Sequence, residues 1–122
     1  MINKTKITVV GSGYVGMSLA VLLAQRNDVI VLDVDLARVD RVNNKLSTVA
    51  DVDIEVFLAE KELNLTATVD KKAAYEGASF VVVATPTNYD PVTNRFDTSS
   101  VDSVVGDALE LNADALVVIK ST

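Results

Sequence analysis

Three glycines near the start of the chain, Gly11, Gly13 and Gly16, fall in a G-x-G-x-x-G spacing. Gly11 allows a tight turn, Gly13 lets a pyrophosphate approach the backbone, and Gly16 lets the following helix pack closely on the preceding strand. The start of that helix offers free N–H groups, including that of Tyr14, and the positive end of the helix dipole to an anion. The spacing predicts a nucleotide-binding turn, although glycines alone can mark any tight turn.

Asp33 ends the second apolar run of the chain, residues 29–33. An acidic residue in this position can accept hydrogen bonds from both hydroxyls of an adenosine ribose. Its charge also repels a 2′-phosphate, so the residue favours NAD over NADP. The alternative is that Asp33 merely ends a strand. We favour the cofactor interpretation because strand, glycine turn, helix, second strand and acid occur in register.

Arg38 lies just beyond Asp33 and has two interpretations that the sequence leaves open. A guanidinium group stacks well on flat rings, so Arg38 could lie along the adenine or contact the ribose. It could equally be a solvated helix residue.

Hydroxyl residues follow the fourth and fifth apolar runs. Thr85, Pro86 and Thr87 come directly after the fourth run, and Thr122 comes after the fifth. Loops at the carboxyl ends of parallel strands flank the ligand-binding crevice of such sheets. These residues could therefore hold the diphosphate, the ribose or the nicotinamide side of the cofactor, although Thr85, Pro86 and Thr87 could also be a plain turn.

The amino-acid composition excludes several kinds of catalytic and metal-binding site. The chain contains no Cys and no His, which removes thiolate nucleophiles, histidine bases and the commonest zinc ligands. We expect no metal site and no catalytic residue in these 122 residues. The net charge of −6 argues against binding to nucleic acid. No signal peptide or membrane span is evident, so we expect no membrane association and a cytoplasmic location.

The elements that must position these residues alternate between strands and helices. Short apolar runs predict five strands at residues 5–10, 29–33, 63–69, 79–84 and 115–119. Helical patterns lie between them, with two helices between the second and third strands. This order predicts an α/β fold of the Rossmann type, a doubly wound parallel sheet with strand order 3-2-1-4-5 and helices on both faces.

The sequence also predicts which faces and ends of these elements are buried, exposed or capped. The first helix, residues 14–26, is expected to bury one face, formed by Val15, Leu19, Leu22 and Leu23. Residues 63–69 alternate between apolar and polar side chains, which is typical of a half-exposed edge strand. Residues 85–96 are expected to form a long polar loop. Gly77 is expected to end the helix that begins at Asp70.

The chain ends on its fifth apolar run, with no closing helix. We therefore expect residues 1–122 to be the N-terminal, NAD-binding domain of a longer polypeptide, truncated at its C-terminal side.

Several segments, taken together and in order, resemble one family. They are the glycine turn 11–16, Asp33, the A-T-P-T segment 84–87, the F-D-T segment 96–98 and the K-S-T segment 120–122. This combination resembles the N-terminal domain of the UDP-glucose 6-dehydrogenases within the nucleotide-sugar dehydrogenase family, over essentially the whole chain. One departure is Thr48, which stands where the family usually has a proline.

The resemblance implies an NAD-dependent oxidoreductase that converts UDP-glucose to UDP-glucuronate with two NAD⁺. It also implies that Val15, Asp33, Arg38, Thr87 and Thr122 contact NAD. The family's catalytic cysteine lies in a later domain, so this chain alone should be inactive. The full-length protein would bind a UDP-sugar and would form a homodimer. Two alternatives remain open: another UDP- or GDP-sugar dehydrogenase of the superfamily, or a non-enzymatic NAD-sensing module.

Overall fold

The computed structural model describes residues 5–85, 88–90, 95–97 and 99–120, with side chains for residues 5–85 and 102–120. The β-strands are β1 (Lys6–Val10), β2 (Asp28–Leu32), β3 (Leu65–Thr68), β4 (Phe80–Val83), β5 (Asn88–Asp90), β6 (Arg95–Asp97) and β7 (Leu116–Ile119). The α-helices are α1 (Tyr14–Leu23), α2 (Leu36–Asn43), α3 (Val52–Glu60), α4 (Lys71–Tyr75) and α5 (Ser99–Leu111).

Strand β1 lies at the centre of a five-stranded parallel sheet with the order β3-β2-β1-β4-β7. It pairs with β2 on one side, where Val10 is opposite Leu32, and with β4 on the other, where Val10 is opposite Val83. Because β7 is the fifth strand expected from the sequence, the predicted order 3-2-1-4-5 is confirmed. The carboxyl ends of β1, β2 and β4 therefore meet at one edge of the sheet.

Alternating side chains of the strands build one core on each face of the sheet. Ile7 and Val9 of β1 point into a core shared with α1, α2 and α3. Val10 of β1 and Val81 of β4 belong to a second core, which α4 and α5 cover. Burial on both faces explains why these strands are continuous apolar runs, and it confirms helices on both faces.

Three helices begin at an aspartate whose side chain accepts a hydrogen bond from a backbone N–H of the first turn. These aspartates are Asp35 at α2, Asp51 at α3 and Asp70 at α4. Gly77 follows α4 with a φ of 76°, the left-handed conformation expected of a helix-ending glycine. None of the helices in the described part of the chain is long and apolar enough to cross a bilayer.

The edge strand β3 has its outer side covered by the end of α2. The Asn43 amide donates to the backbone oxygen of Ala67 at 3.0 Å and accepts from the backbone N–H of Ala67 at 2.8 Å. A side-chain amide thus takes the place of a neighbouring strand at this residue, which protects an otherwise unpaired sheet edge.

Two sequence predictions about local structure are wrong. Residues 85–96 are not simply a loop, because β5 and β6 form an antiparallel pair in which Tyr89 is opposite Phe96. The predicted apolar face of α1 is wrong in part. Leu19 and Leu23 pack against the core as expected, but Leu22 is 56% exposed, and the fully buried residues are Met17 and Ala20.

Candidate cofactor-binding site

A cleft of about 750 Å³ opens at the edge where β1, β2 and β4 end. The glycine turn and the start of α1 form one wall, and residues at or after the ends of β2, β3, β4 and β7 form the adjoining part. Residues of α2, α4 and α5 complete the lining. The residues that line the cleft are Val10, Gly11, Ser12, Gly13, Tyr14, Val15, Leu32, Asp33, Val34, Arg38, Val69, Lys71, Tyr75, Ala84, Thr85, Ser103, Val104, Asp107 and Lys120. This position, at the carboxyl ends of the strands where the strand order reverses, is the ligand-binding edge of doubly wound sheets.

Gly11 and Gly16 make the turn possible because neither position has room for a side chain. Gly11 has a φ of 102°, and a Cβ atom there would lie 3.0 Å from the backbone oxygen of Ala84. At Gly16 a Cβ atom would lie 1.9 Å from the backbone oxygen of Gly11. The backbone N–H of Gly11 also donates to the oxygen of Leu32 at 2.8 Å. The turn is therefore locked between β2, β4 and α1.

Gly13 has a different environment from the other two glycines. Apart from its two chain neighbours, no described residue has an atom within 4 Å of the position that a Cβ would occupy there. Gly13 is also the N-cap of α1, and within the described structure no side chain caps this helix end. The first backbone N–H groups of α1 and open space in front of them therefore occur together, which is the arrangement that binds a phosphate group.

Asp33 lies directly after β2, next to the glycine turn. One carboxylate oxygen, Oδ2, accepts from the backbone N–H of Ser12 at 3.0 Å and from its hydroxyl at 2.5 Å. The other, Oδ1, accepts from the backbone N–H of Asp35 at 2.9 Å. Asp33 therefore holds the glycine turn through Ser12 and still faces the cleft.

The carboxyl group of Asp33 stays ionised. Burial by itself raises its pKa, but the hydroxyl of Ser12, the backbone N–H groups of Asp35 and Ser12 and the charge of Arg38 together bring the pKa below its ordinary value. An ionised carboxylate accepts hydrogen bonds from hydroxyl groups and repels a phosphate at the same place.

Arg38 lies on the wall of the same cleft, on α2. Its Nε atom is 3.9 Å from a carboxylate oxygen of Asp35, and both side chains are about half exposed. Such an exposed, long ion pair is weak, so the guanidinium group can turn towards a ligand at little cost.

Thr85 follows β4 on the opposite side of the cleft. Its hydroxyl oxygen is buried and has no hydrogen-bond partner among the residues that the structure describes. A buried hydroxyl without a partner is unfavourable, and Thr85 also lines the cleft. Pro86, Thr87 and Thr122, which the sequence also singles out, lie outside the described residues.

Two exposed valines that sequence reasoning missed lie beside Asp33. Val34 follows β2 and is 93% exposed, and Val69 follows β3 and is 47% exposed. Both line the cleft, where apolar side chains can pack against a planar ring. The sequence indicates these valines only by their position: each follows an apolar run that predicts a strand, at the sheet edge where ligands bind.

Residues of α4 and α5 form the far wall of the cleft. The sequence did not predict that these residues belong to the site. Lys71 pairs with Asp107 at 2.8 Å and joins the two helices. Tyr75 is buried beside them, and burial together with the negative charge of Asp107 raises its pKa to about 12, so its phenol stays neutral. Nothing in the local sequence marks these residues, because their position depends on how α4 packs against α5.

Three features at one sheet edge define a dinucleotide-binding domain. They are a glycine turn held between β2, β4 and α1, an ionised carboxylate, and a hydroxyl that has no partner among the described residues. The sequence model of the UDP-glucose/GDP-mannose dehydrogenase family, NAD binding domain, matches residues 5–122. The chain belongs to this family as its NAD-binding domain. The described residues contain no cluster of acidic or other ligating side chains that could hold a metal ion.

Two relatives and one solved structure place the chain within the family. It is 50% identical over 117 residues to UDP-glucose 6-dehydrogenase of Streptococcus pneumoniae, covering 96% of this chain and 30% of the relative. It is 42% identical over 119 residues to UDP-glucose 6-dehydrogenase of Campylobacter jejuni, covering 96% and 30%. GDP-mannose dehydrogenase of Pseudomonas aeruginosa superimposes with a TM-score of 0.82 at 25% identity, covering 95% of this chain and 28% of that one.

The residues of the cleft fit NAD. The space at Gly13 suits a diphosphate, and the ionised Asp33 suits a ribose without a 2′-phosphate. Among the described residues the hydroxyl of Thr85 has no partner. The chain spans about 30% of the length of the relatives that it matches.

Proposed function

We propose that this chain, residues 1–122, is the N-terminal cofactor domain of a longer enzyme that oxidises UDP-glucose to UDP-glucuronate. The reaction converts UDP-glucose, two NAD⁺ and one water to UDP-glucuronate, two NADH and three protons. Both relatives above are UDP-glucose 6-dehydrogenases, and their identity to this chain, at 50% and 42%, supports UDP-glucose as the substrate. The chain contains no Cys, so in this proposal the thioester-forming cysteine and most of the sugar site come from another part of the enzyme.

NAD⁺ supplies the hydride acceptor, and the residues of this chain bind and orient it. Gly11, Gly13 and Gly16 shape the turn, and the backbone N–H groups of Tyr14 and Val15 at the start of α1 bind the diphosphate. This role follows from the open space at Gly13 and from the uncapped helix end.

The two ends of the cofactor are held by different residues. Asp33 accepts from the adenosine ribose hydroxyls, with Arg38 beside it. Thr85, Pro86, Thr87 and Thr122 contact the ribose and nicotinamide side, where the unpartnered hydroxyl of Thr85 supports the assignment. The observation that carries the proposal is the ionised Asp33 carboxylate, held at the glycine turn by Ser12.

The substrate is tested with the complete polypeptide that carries this chain. NADH formation, followed by absorbance, is compared for UDP-glucose, UDP-N-acetylmannosamine and GDP-mannose. We expect two NADH per UDP-glucose and little from the other two. Faster turnover of GDP-mannose would favour the alternative to which the solved structure is similar, and no NADH from any sugar would favour a non-enzymatic NAD-sensing module.

The assembly and location of the complete enzyme belong to the same proposal. We propose a cytoplasmic homodimer that binds neither membranes nor nucleic acid. The net charge of −6 supports the last point, because it opposes association with polyanions. Light scattering on the purified enzyme tests the homodimer, and fractionation of cells tests the cytoplasmic location. A monomer would contradict the proposed assembly, and enzyme recovered with membranes would contradict the proposed location.

A further inference from the structure

Ser12 is a buried polar residue inside the glycine turn, between Gly11 and Gly13. It is 1% exposed, and both its backbone N–H and its hydroxyl donate to Oδ2 of Asp33. The turn itself needs only the glycines, so it would form with an alanine in this position. What the hydroxyl adds is a second, charge-assisted hydrogen bond that fixes the rotation of the Asp33 carboxylate.

The loop between α2 and α3 fixes Ser12 from the other side. The hydroxyl of Thr48 donates to the backbone oxygen of Ser12. The loop is in turn anchored to α2, because Nε of Arg41 donates to the backbone oxygen of Ser47 at 2.8 Å.

Together these bonds form a chain of contacts from the loop to the cofactor cleft. The N–H and hydroxyl of Ser12 bind Asp33, and its backbone oxygen binds Thr48. Oδ1 of Asp33 accepts from the N–H of Asp35 at 2.9 Å, and Asp33 lines the cleft. Because a carboxylate is planar, the way Oδ2 is held also sets the orientation of Oδ1.

We propose that Ser12 and Thr48 are positioning residues for the adenosine ribose: Ser12 orients the Asp33 carboxylate, and Thr48 fixes Ser12. This inference rests on the proposed role of Asp33 in NAD binding. Neither residue needs to touch the cofactor. Their effect is to hold one carboxylate orientation, in which a 2′-hydroxyl is bound and a 2′-phosphate is repelled.

The test compares the dissociation constants of the chain for NAD⁺ and NADP⁺ by calorimetry. Thr48→Val removes the hydroxyl at nearly constant volume, Thr48→Ser keeps it, and Thr66→Val is a matched control on the exposed side of β3. We expect Thr48→Val to reduce the preference for NAD⁺ about threefold and Ser12→Ala to reduce it about tenfold, since hydrogen bonds to charged groups are the stronger ones. Thr48→Ser and Thr66→Val should keep the preference of the unmodified chain.

A double-mutant cycle separates positioning from a general loss of structure. In an Asp33→Asn background, Ser12→Ala and Thr48→Val should change the NAD⁺/NADP⁺ preference no further, because both act through the carboxylate. An unchanged preference in both single variants, or equal effects with and without Asp33, would overturn the inference. If Asp33→Asn alone changes nothing, the proposed role of Asp33 fails instead. If the Ser12→Ala variant does not fold, the comparison of Thr48→Val with Thr48→Ser tests the inference by itself.

Discussion

Gly13 and Gly16 lie in the same motif but are glycines for different reasons. At Gly16 a Cβ atom would overlap the backbone oxygen of Gly11, whereas at Gly13 it would point into open space. Gly16 is therefore required for the helix to pack on the turn, and Gly13 keeps the site open for a ligand. The two requirements can be separated experimentally.

Gly13→Ala should leave the fold nearly intact and weaken NAD⁺ binding. The backbone of Gly13, with φ −77° and ψ −166°, suits an alanine, so we expect a change of about 1 kcal/mol or less in the free energy of unfolding. The added methyl group occupies the space for the diphosphate and should weaken NAD⁺ binding at least about tenfold. Gly16→Ala is the comparison, because it should lower the unfolding midpoint strongly. Denaturant unfolding and calorimetry distinguish the two, and tight NAD⁺ binding by Gly13→Ala would contradict the assignment.

Asp33 makes the site sensitive to acid only at low pH. Hydrogen bonds and the charge of Arg38 lower the pKa of Asp33. The ionised carboxylate therefore contributes fully to NAD⁺ binding above its ordinary pKa of 3.8, and this contribution is lost as the pH falls through the lower pKa of the folded state. In the described part of the chain, the charged groups around the Asp33 carboxylate are Asp35 and Arg38 on the side of α2, and Lys71, Asp107 and Lys120 elsewhere in the cleft wall. NAD⁺ affinity should be flat from neutrality down to about pH 4, and in Ser12→Ala its loss should begin at a higher pH. Loss of affinity near pH 6 in the unmodified chain would contradict this account.

At the scale of the elements, α2 has two functions. Its N-terminal side carries Asp35 and Arg38 next to the cleft, and its C-terminal Asn43 covers the edge of β3. Because β3 precedes Val69 in the cleft wall, the Asn43 bonds also support the site.

Asn43→Ala should lower the free energy of unfolding by about 1–3 kcal/mol, because it removes both partners of Ala67 at the sheet edge. Urea denaturation measures this loss. Asn64→Ala, at an exposed position just before β3, is the matched control and should have little effect. Equal stability of the two variants would show that the amide contributes nothing at this edge.

Local sequence predicts those parts of the site that depend on spacing along the chain. The glycine turn, Asp33 after β2 and Thr85 after β4 follow from motif and strand periodicity. The pairing of β5 with β6 was missed because residues 85–96 are polar and contain both prolines. The Ser12–Thr48 bond and the α4–α5 wall were not predictable, because they join residues far apart in the chain whose types are ordinary for loops and helix surfaces.

At the scale of the whole molecule, the two edges of the sheet differ. The edge at β3 is covered by Asn43, whereas β7 exposes Leu116 and Ile119, at 59% and 55%. The site lies between these edges, on elements with continuous cores above and below the sheet. The chain thus positions an oxidant, while the proposed chemistry on the sugar needs residues that a chain without cysteine does not have.

The most direct test of the central claim is calorimetric titration of the chain, and of its Asp33→Asn variant, with NAD⁺ and with NADP⁺. We expect the unmodified chain to bind one NAD⁺ and to bind NADP⁺ much more weakly. Asp33→Asn should lose NAD⁺ affinity about tenfold or more and should reject NADP⁺ less, because the variant lacks both the charged acceptor and the repulsion. Equal affinities for the two cofactors in the unmodified chain, or an Asp33→Asn variant with unchanged affinity for both, would contradict the account.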